Sequence, residues 1–254
     1  MILAVDVGNT QTVIGLVDGP SLTAHWRVSS NAALTADELV IKVAALLAVR
    51  DAGWGDIEHV IVSSVVPRLT DAWSAAARLG CDCEPLIVGP GLKTGMPIRY
   101  DNPHEVGADR IVNGVAAFSA HGGPVLVVDF GTATTIDVVD AEGAYLGGAI
   151  APGVETSAEA LFTKAARLSK VDLEDPGTVI GKNTRHSVQA GLLLGEAAMV
   201  DGLVRRVWAE LGTETPVVAT GGLAERMADL CETITDVDAD LTLKGLMMIY
   251  ELNA

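Results

Sequence analysis

A short polar turn near the start of the chain carries residue types that bind phosphate. Residues 6–13 read DVGNTQTV and follow an apolar run typical of a buried strand. Gly8 lets the backbone approach a bulky anion closely, and the amides and side chains after it can donate to phosphate oxygens. Asp6 would repel phosphate unless a divalent cation lay between them, which makes it a candidate to position Mg²⁺. The alternative is an Asx-type turn that only stabilises a β-hairpin.

A second polar stretch, residues 93–110, has an irregular sequence with two prolines and two glycines, which is typical of a loop. Gly107 precedes a helix that we predict over about residues 108–120, so Asp109 falls in its first turn. A carboxylate on a loop held by a scaffold can serve chemistry, but the helix dipole alone also favours it there. Arg110 could turn inward toward an anion or outward as a surface charge. The residues themselves leave both alternatives open.

An internal duplication indicates the elements that position these residues. The segment LAVDVGNTQTVIGLVD at residues 3–18 resembles LVVDFGTATTIDVVD at residues 126–140, about half the chain further on. The alignment pairs Asp6 with Asp129, Gly8 with Gly131 and Thr12 with Thr135. Each copy predicts two apolar strands joined by a tight turn of small polar residues. Chance similarity between two glycine-containing hairpins is the alternative explanation.

The remaining pattern of each half predicts roughly a βββαβα unit. Residues 36–52 have helical periodicity, and Thr35 with Glu38 forms a predicted capping box. Residues 187–211 predict a long helix in the second half. We therefore expect an α/β fold of two domains, 1–115 and 116–254, with mixed sheets and a cleft between them.

Composition excludes several classes of function. The chain has 17 Lys and Arg against 33 Asp and Glu, a net charge of −16, which should repel nucleic acid. The cysteines and histidines lack metal-site spacing, and residues 177–183, GTVIGKN, lack the length and the Ser or Thr of a phosphate-binding P-loop. No basic signal segment or membrane-length apolar run is evident, so we expect a cytoplasmic protein that contacts no membrane.

The motifs together resemble one known family. They occur in order along the whole chain: DVGNT from Asp6, YDNP from Tyr100, GADR from Gly107, DFGT from Asp129, and NTRHSVQAG from Asn183. This combination resembles the type III pantothenate kinases. The resemblance implies the fold of the acetate and sugar kinase, Hsp70 and actin superfamily, with two ribonuclease-H-like domains. It also implies a homodimer and a reaction of ATP with pantothenate.

The resemblance also implies residue roles. The ATP-binding hairpin matches Asp6, Val7, Gly8, Asn9, Thr10, Gln11, Thr12 and Val13, and Thr132 matches a further ATP contact. The pantothenate pocket matches Tyr100, Gly107, Ala108, Asp109, Arg110 and Thr184. Asp109 matches the catalytic base, and Asp129 the ligand of a monovalent cation, K⁺ or NH₄⁺. Mg²⁺ is the expected divalent cofactor. Thr184 has an alternative role as a helix cap near Ser187.

Other functions remain open from the sequence. A kinase of the same superfamily could act on another small hydroxyl compound, and a hydrolase of ATP is a further alternative. Relatives described as transcriptional accessory factors raise the alternative of a regulatory binding protein. Retention of Asp6, Asp109 and Asp129 favours a catalyst, because a binding protein need not keep all three carboxylates.

Overall fold

The computed structural model describes residues 1–165, 168 and 170–254. The chain divides into two compact units. The first contains Met1–Met96, Tyr100–Ala116 and Leu241–Ala254, and the second contains Pro97–Arg99 and Ala117–Asp240. Each unit is built around one mixed sheet, as the sequence predicted for the fold class.

The first unit contains a five-stranded sheet in the order β3-β2-β1-β4-β5. Its strands are β1 (Ile2–Val7), β2 (Gln11–Asp18), β3 (Ser21–Ser29), β4 (His59–Ser64) and β5 (Leu86–Ile87). The first three strands form an antiparallel meander, and β4 lies parallel to β1. Strand β1 is apolar at almost every position because helices cover both faces of the sheet.

The helices of the first unit pack on opposite faces of this sheet. They are α1 (Ala36–Ala48), α2 (Pro67–Cys81), the first part of α3 (Ala108–His121), and a helix close to the C-terminus, Leu241–Glu251. Helices α1 and α2 bury Leu39, Val43 and Trp73 against the face that carries Val5. The predicted capping box is confirmed, because Thr35 Oγ1 accepts from the Glu38 amide while Glu38 bonds back to the Thr35 amide.

The second unit contains a sheet of the same topology. Its strand order is β10-β9-β6-β7-β8. Read from the opposite edge, β8-β7-β6-β9-β10, it matches the order β3-β2-β1-β4-β5 of the first sheet strand for strand. The strands are β6 (Val125–Phe130), β7 (Ala133–Val139), β8 (Tyr145–Pro152), β9 (Val217–Thr220) and β10 (Asp236–Val237). Strands β6 and β7 are antiparallel, and β9 lies parallel to β6 as β4 does to β1. This agreement confirms the duplication inferred from the sequence.

The register corrects one detail of that duplication. In the first hairpin Val7 pairs with Thr12, whereas in the second Phe130, the counterpart of Val7, pairs with Thr134. The structural counterpart of Thr12 is therefore Thr134, and the alignment with Thr135 was wrong by one residue. The cause is a second turn that is one residue shorter than the first.

The helices of the second unit include a long helical segment with an irregular turn. They are α4 (Val154–Lys164), α5 (Thr184–Gln189), α6 (Gly195–Leu211) and α7 (Ala224–Ala228). The helix Leu241–Glu251, which belongs to the first unit, follows them in the chain and is numbered α8. A π-helical turn, Ala190–Leu194, joins α5 to α6, so the predicted long helix begins three residues earlier than expected and is not uniform. Such turns insert one extra residue into a helix.

This helical segment is also apolar. Among the described residues, Thr184–Leu211 alone has the length and hydropathy of a membrane span, and 56% of its apolar window is buried within the structure. Leu193, Ala197 and Val200 pack against the second sheet. The apolar side chains of this helical segment therefore form part of the core of the second unit.

The domains expected from the sequence, 1–115 and 116–254, differ from the two units at three places: Pro97–Arg99 belong to the second unit, and Ala116 and Leu241–Ala254 belong to the first. Residues 241–254 were expected in the second domain but belong to the first unit. Leu243, Leu246 and Ile249 of α8 are buried against β1 and β4, and burying each side chain stabilises the fold by about 1.5–3 kcal/mol. The contact is remote in sequence, so local patterns could not reveal it.

Candidate functional site

The first hairpin turn is shaped by Gly8. Its amide donates to the Gln11 carbonyl at 3.0 Å, and a Cβ at this position would lie 2.9 Å from the same oxygen. The Ser30 amide donates to the Thr10 carbonyl at 2.8 Å, which ties the turn to the end of β3. The turn is therefore a fixed backbone loop rather than a loose connection.

The side chains of the predicted ATP-binding segment differ in exposure. Asn9, Thr10 and Gln11 are exposed at the tip of the turn. Thr12 is buried, and its hydroxyl is hydrogen-bonded to the Ser30 hydroxyl at 2.8 Å. Val7 is buried in the core and Val13 is half-buried against α8. Only the tip residues present side chains to solvent, so the valines can offer a ligand no more than backbone groups.

Asp6 lies on the sheet face that α3 and α8 cover. Side chains alternate along a strand, and its neighbour on the same face, Ala4, packs in the cluster with Ile61 and Val112. The register partner of Asp6 on the parallel strand β4 is Ser63, so the two side chains project from the same face. The carboxyl ends of these two central strands thus place a carboxylate beside a hydroxyl.

The start of α3 lies at the same end of the sheet. A Cβ at Gly107 would lie 3.6 Å from Cγ1 of Val65, and the Val65 amide donates to the Val7 carbonyl at 3.1 Å. The predicted residues Gly107 to Arg110 are therefore brought to the strand end that follows Asp6. Ala108 packs against the cluster of α8 and contributes to this contact.

The Asp109 carboxylate is half-buried and held by its own helix. Its Oδ1 accepts a hydrogen bond from the Arg110 amide at 2.8 Å, and a Cβ at Gly107 would overlap that oxygen. Burial raises the pKa of Asp109, while the Arg110 amide and guanidinium oppose the rise. The carboxylate is thus both a helix-start residue and a group with the shifted pKa expected of a base.

Arg110 turns inward. Its side chain is 8% exposed, so it is not the surface charge that the sequence also allowed. Tyr100, in the preceding loop, is exposed at 37%. The buried guanidinium of Arg110 is of the chemical type that forms bidentate hydrogen bonds with the carboxylate of a ligand.

The second hairpin places Asp129 among glycines. The Gly131 amide donates to the Ala133 carbonyl at 3.1 Å, and a Cβ at Gly131 would lie 3.5 Å from Asp129 Oδ1. Gly221, at φ +95°, is closer still: a Cβ there would overlap Asp129 Oδ1 and lie 2.7 Å from the Phe130 carbonyl. The Asp129 carboxylate and the Phe130 carbonyl therefore border a small space next to Gly221 that a Cβ would fill, and we call this space the glycine cradle. Oxygen ligands of this kind fit a hard monovalent cation.

Thr132 follows this cradle at an exposed position. Its carbonyl accepts from the Gly153 amide at 3.1 Å and from the Thr156 hydroxyl at 2.6 Å, which fixes the turn to the start of α4. The turn thus has a fixed backbone, as the first hairpin turn does.

Thr184 begins α5 but does not cap it. The cap is Asn183, whose side chain accepts from the His186 amide at 2.9 Å, so the capping role considered for Thr184 is wrong. Thr184 lines an open groove with a volume of about 650 Å³, together with Leu161, Lys182, Ser187 and Leu192.

The divalent site expected at Asp6 has few protein ligands. No group of three or more His, Cys, Asp or Glu suited to a metal occurs among residues 1–165, 168 and 170–254. Mg²⁺ typically takes one or two carboxylates and completes its shell with water and substrate phosphates, so a lone carboxylate fits that ion. The buried Ser63 hydroxyl beside Asp6 has no hydrogen-bond partner among the described residues and places a further oxygen next to this carboxylate.

The structure adds two residues to the predicted set. From the sequence, Ser63 was expected only as part of the Ser-Ser pair that follows a strand at Val60 to Val62. Gly221 was expected only in the segment Thr220-Gly221-Gly222, which by the family resemblance sits where the superfamily has its adenosine-side loop. The available signal for Ser63 was a polar pair directly after an apolar run, since residues that follow adjacent parallel strands meet at one edge. The signal for Gly221 was the glycine pair at 221–222 after β9.

The paired sheets of common topology define the actin/hexokinase-like fold of the acetate and sugar kinases. A Campylobacter jejuni protein described as a Baf family transcriptional activator has this fold with a TM-score of 0.62 at 18% identity, covering 99% of this chain and 98% of its own. Component A of (R)-2-hydroxyglutaryl-CoA dehydratase from Acidaminococcus fermentans has a TM-score of 0.58 at 16% identity, covering 98% and 96%.

Sequence similarity then specifies the family. The family model for type III pantothenate kinase matches residues 2–206. A type III pantothenate kinase of Syntrophotalea carbinolica is 50% identical over 100% of this chain and 99% of its own length, and one of Myxococcus xanthus is 51% identical over 100% and 99%. The chain belongs to the type III pantothenate kinase family.

Proposed function

We propose that this protein is a pantothenate kinase, which transfers the γ-phosphoryl group of ATP to pantothenate. The products are ADP and 4′-phosphopantothenate, in the first step of coenzyme A biosynthesis. Family membership over the full chain supports this reaction. The structural observation that carries it is the half-buried Asp109 carboxylate, whose pKa is raised by burial, at the strand end that carries Asp6.

The first hairpin would bind the triphosphate. The exposed tip, Asn9 to Gln11, offers side-chain and backbone donors, and Gly8 leaves room for a phosphate against the backbone. Asp6 would hold Mg²⁺, directly or through water. When bound, Mg²⁺ would neutralise charge on the phosphate oxygens during transfer.

Asp109 would act as the general base. It would orient the primary hydroxyl of pantothenate and accept its proton as the oxygen forms a bond to the γ-phosphorus. The bond between that phosphorus and the bridging oxygen of ADP breaks, and ADP leaves with the electron pair. Burial suits Asp109 to this task because it raises the affinity of the carboxylate for a proton.

Arg110 would recognise the carboxylate of pantothenate. Its guanidinium is buried next to Asp109, where a bidentate pair with a carboxylate gains strength from the low exposure. Tyr100, Gly107, Ala108 and Thr184 would complete the pantothenate contacts. We expect Thr184 to contribute its hydroxyl, because the helix does not need it as a cap.

Asp129 would hold K⁺ or NH₄⁺ in the glycine cradle, with Thr132 as a further ATP contact. A monovalent cation bound there would add positive charge to a chain with a net charge of −16. We also propose that the enzyme is a cytoplasmic homodimer that binds neither nucleic acid nor membrane. The net charge opposes direct contact with nucleic acid.

A phosphorylation assay tests the proposal. Purified protein is incubated with ATP, Mg²⁺ and pantothenate, with and without K⁺, and 4′-phosphopantothenate is measured by mass spectrometry. Parallel reactions contain sugars and small hydroxy acids in place of pantothenate. We expect product with pantothenate only and faster turnover with K⁺. Phosphorylation of another acceptor, without product from pantothenate, would refute the assignment.

A further inference from the structure

One buried hydroxyl beside the nucleotide hairpin lacks a hydrogen-bond partner. Ser63, near the end of β4, has no exposed surface, and its Oγ makes no hydrogen bond with any residue that the structure describes. A buried polar group without a partner destabilises a fold, so its presence at a particular place calls for a function.

The place is the strand end next to Asp6. Ser63 and Asp6 are register partners on the parallel strands β4 and β1, and both project from the face that packs against α3 and α8. Side chains at such paired positions are within reach of each other, directly or through one water. Val65, two residues after Ser63, lies beside Gly107, where a Cβ would be 3.6 Å from its Cγ1, just before the helix that carries Asp109.

The neighbouring serine shows what a purely structural hydroxyl does at this edge. The Ser64 hydroxyl donates to the Val66 carbonyl at 3.2 Å, accepts from the Val66 amide, and accepts from the Thr70 hydroxyl at 2.8 Å. These bonds tie β4 to the first turn of α2. Ser63 has no comparable bond to the fold, although it is the more deeply buried of the two.

We propose that Ser63 is a positioning residue for Asp6. When Mg²⁺ and the nucleotide bind, its hydroxyl donates to the Asp6 carboxylate, or to a water bound by it, and orients that carboxylate toward Mg²⁺. A carboxylate has acceptor sites for more than one donor, so this bond is compatible with other contacts of Asp6. The inference rests on the proposed Mg²⁺ role of Asp6.

The decisive comparison is Ser63→Ala against Ser64→Ala. The first variant removes a buried hydroxyl that has no hydrogen-bond partner in the described part of the chain, so the melting temperature without nucleotide should stay equal or rise. Its affinity for ADP in the presence of Mg²⁺, measured by calorimetry without pantothenate, should fall by about tenfold, as for other groups that orient a metal-binding carboxylate. Affinity for ADP without Mg²⁺ should be unchanged.

The control variant should show the opposite pattern. Ser64→Ala should lower the melting temperature and leave Mg²⁺-dependent ADP binding unchanged. Ser63→Cys, which keeps the side-chain size but has a weak donor, should behave like Ser63→Ala. Unchanged Mg²⁺ dependence in both Ser63 variants, or a loss of stability like that of Ser64→Ala, would overturn the inference.

Asp6→Asn separates this inference from the proposed reaction. If Asp6→Asn weakens Mg²⁺-dependent binding and the Ser63 variants do not, Ser63 has no positioning role. If Asp6→Asn also has no effect, the inference fails together with the Mg²⁺ role of Asp6. Failure to phosphorylate pantothenate would refute the proposed function, whereas the Ser63 result is measured from nucleotide binding alone.

Discussion

The hydroxyl of Thr134 in β7 donates a hydrogen bond of 2.5 Å to Oε1 of Glu196 at the start of α6. Thr134 is the register counterpart of Thr12, whose hydroxyl is instead hydrogen-bonded to the hydroxyl of Ser30, the residue directly after β3. The two halves therefore keep a buried threonine next to each hairpin turn but use different partners. In the second half the partner is a carboxylate that is 7% exposed.

Glu196→Gln should make stability less dependent on pH. Burial raises the pKa of Glu196 above its usual 4.5, and the bond from Thr134 only partly opposes this. The folded state therefore favours the protonated form, so this group stabilises the fold below pH 4.5 and the contribution is lost as pH rises through the folded pKa. Glutamine keeps Oε1 as an acceptor and cannot ionise.

The measurement is the melting temperature of both proteins from acidic to neutral pH. The melting temperature of the variant minus that of the wild type should become more positive as pH rises. Glu210→Gln, at an exposed position of the same helix, is the control for replacing a glutamate of α6 by glutamine. A difference for Glu196→Gln that shrinks with rising pH would contradict the assignment.

Asp109→Asn should abolish most turnover without unfolding the protein. Loss of a general base typically slows a reaction by about 10²–10⁴-fold. Asparagine keeps an oxygen that can accept from the Arg110 amide, so the helix start should persist. Steady-state kinetics and circular dichroism check both points, and Asp71→Asn at an exposed position of α2 should retain activity. Wild-type turnover in Asp109→Asn would show that another group takes the proton.

Arg110→Gln should move the acidic limb of the pH–rate profile to higher pH. Asp109 must be ionised to accept a proton, so kcat/KM for pantothenate should fall as pH drops through its pKa. Burial raises that pKa above the usual 3.8, and the positive charge of Arg110 opposes the rise. Removing the charge should therefore raise the pKa of Asp109 further.

The same variant should raise KM for pantothenate if Arg110 binds its carboxylate. Arg78→Gln, which removes an exposed arginine paired with Glu84, should alter neither the profile nor KM. An acidic limb that stays in place in Arg110→Gln would mean that Asp109 does not govern it.

Local sequence patterns were sufficient to predict much of this fold. The two hairpins follow from apolar runs around Gly8 and Gly131, and the start of α1 follows from Thr35 and Glu38. The duplication was visible because both copies keep an Asp and a Gly at matched positions. Strands β5 and β10 were not predicted, since two residues each are too few for a periodic pattern.

The remaining features depend on contacts between distant segments. The place of α8 in the first unit is decided by its packing on β1 and β4, and the inward turn of Arg110 by the burial of the first turn of α3. Ser63 becomes informative only when the parallel register sets it beside Asp6. None of these relationships has a signal in the spacing of nearby residues.

Gly221→Ala tests the glycine cradle around Asp129. At φ +95° an alanine is strained, and its Cβ would overlap Asp129 Oδ1 and crowd the Phe130 carbonyl at 2.7 Å. The Asp129 carboxylate would have to move, so activation by K⁺ should weaken, with the K⁺ concentration for half-maximal rate rising by about tenfold or more. The measurement is the initial rate against K⁺ concentration at saturating ATP and pantothenate. Gly202→Ala, in α6 with open space around its Cα, is the matched control and should leave K⁺ activation unchanged while stabilising the helix by about 0.5–1 kcal/mol. If Gly221→Ala folds and responds to K⁺ as the wild type does, the cation is bound elsewhere.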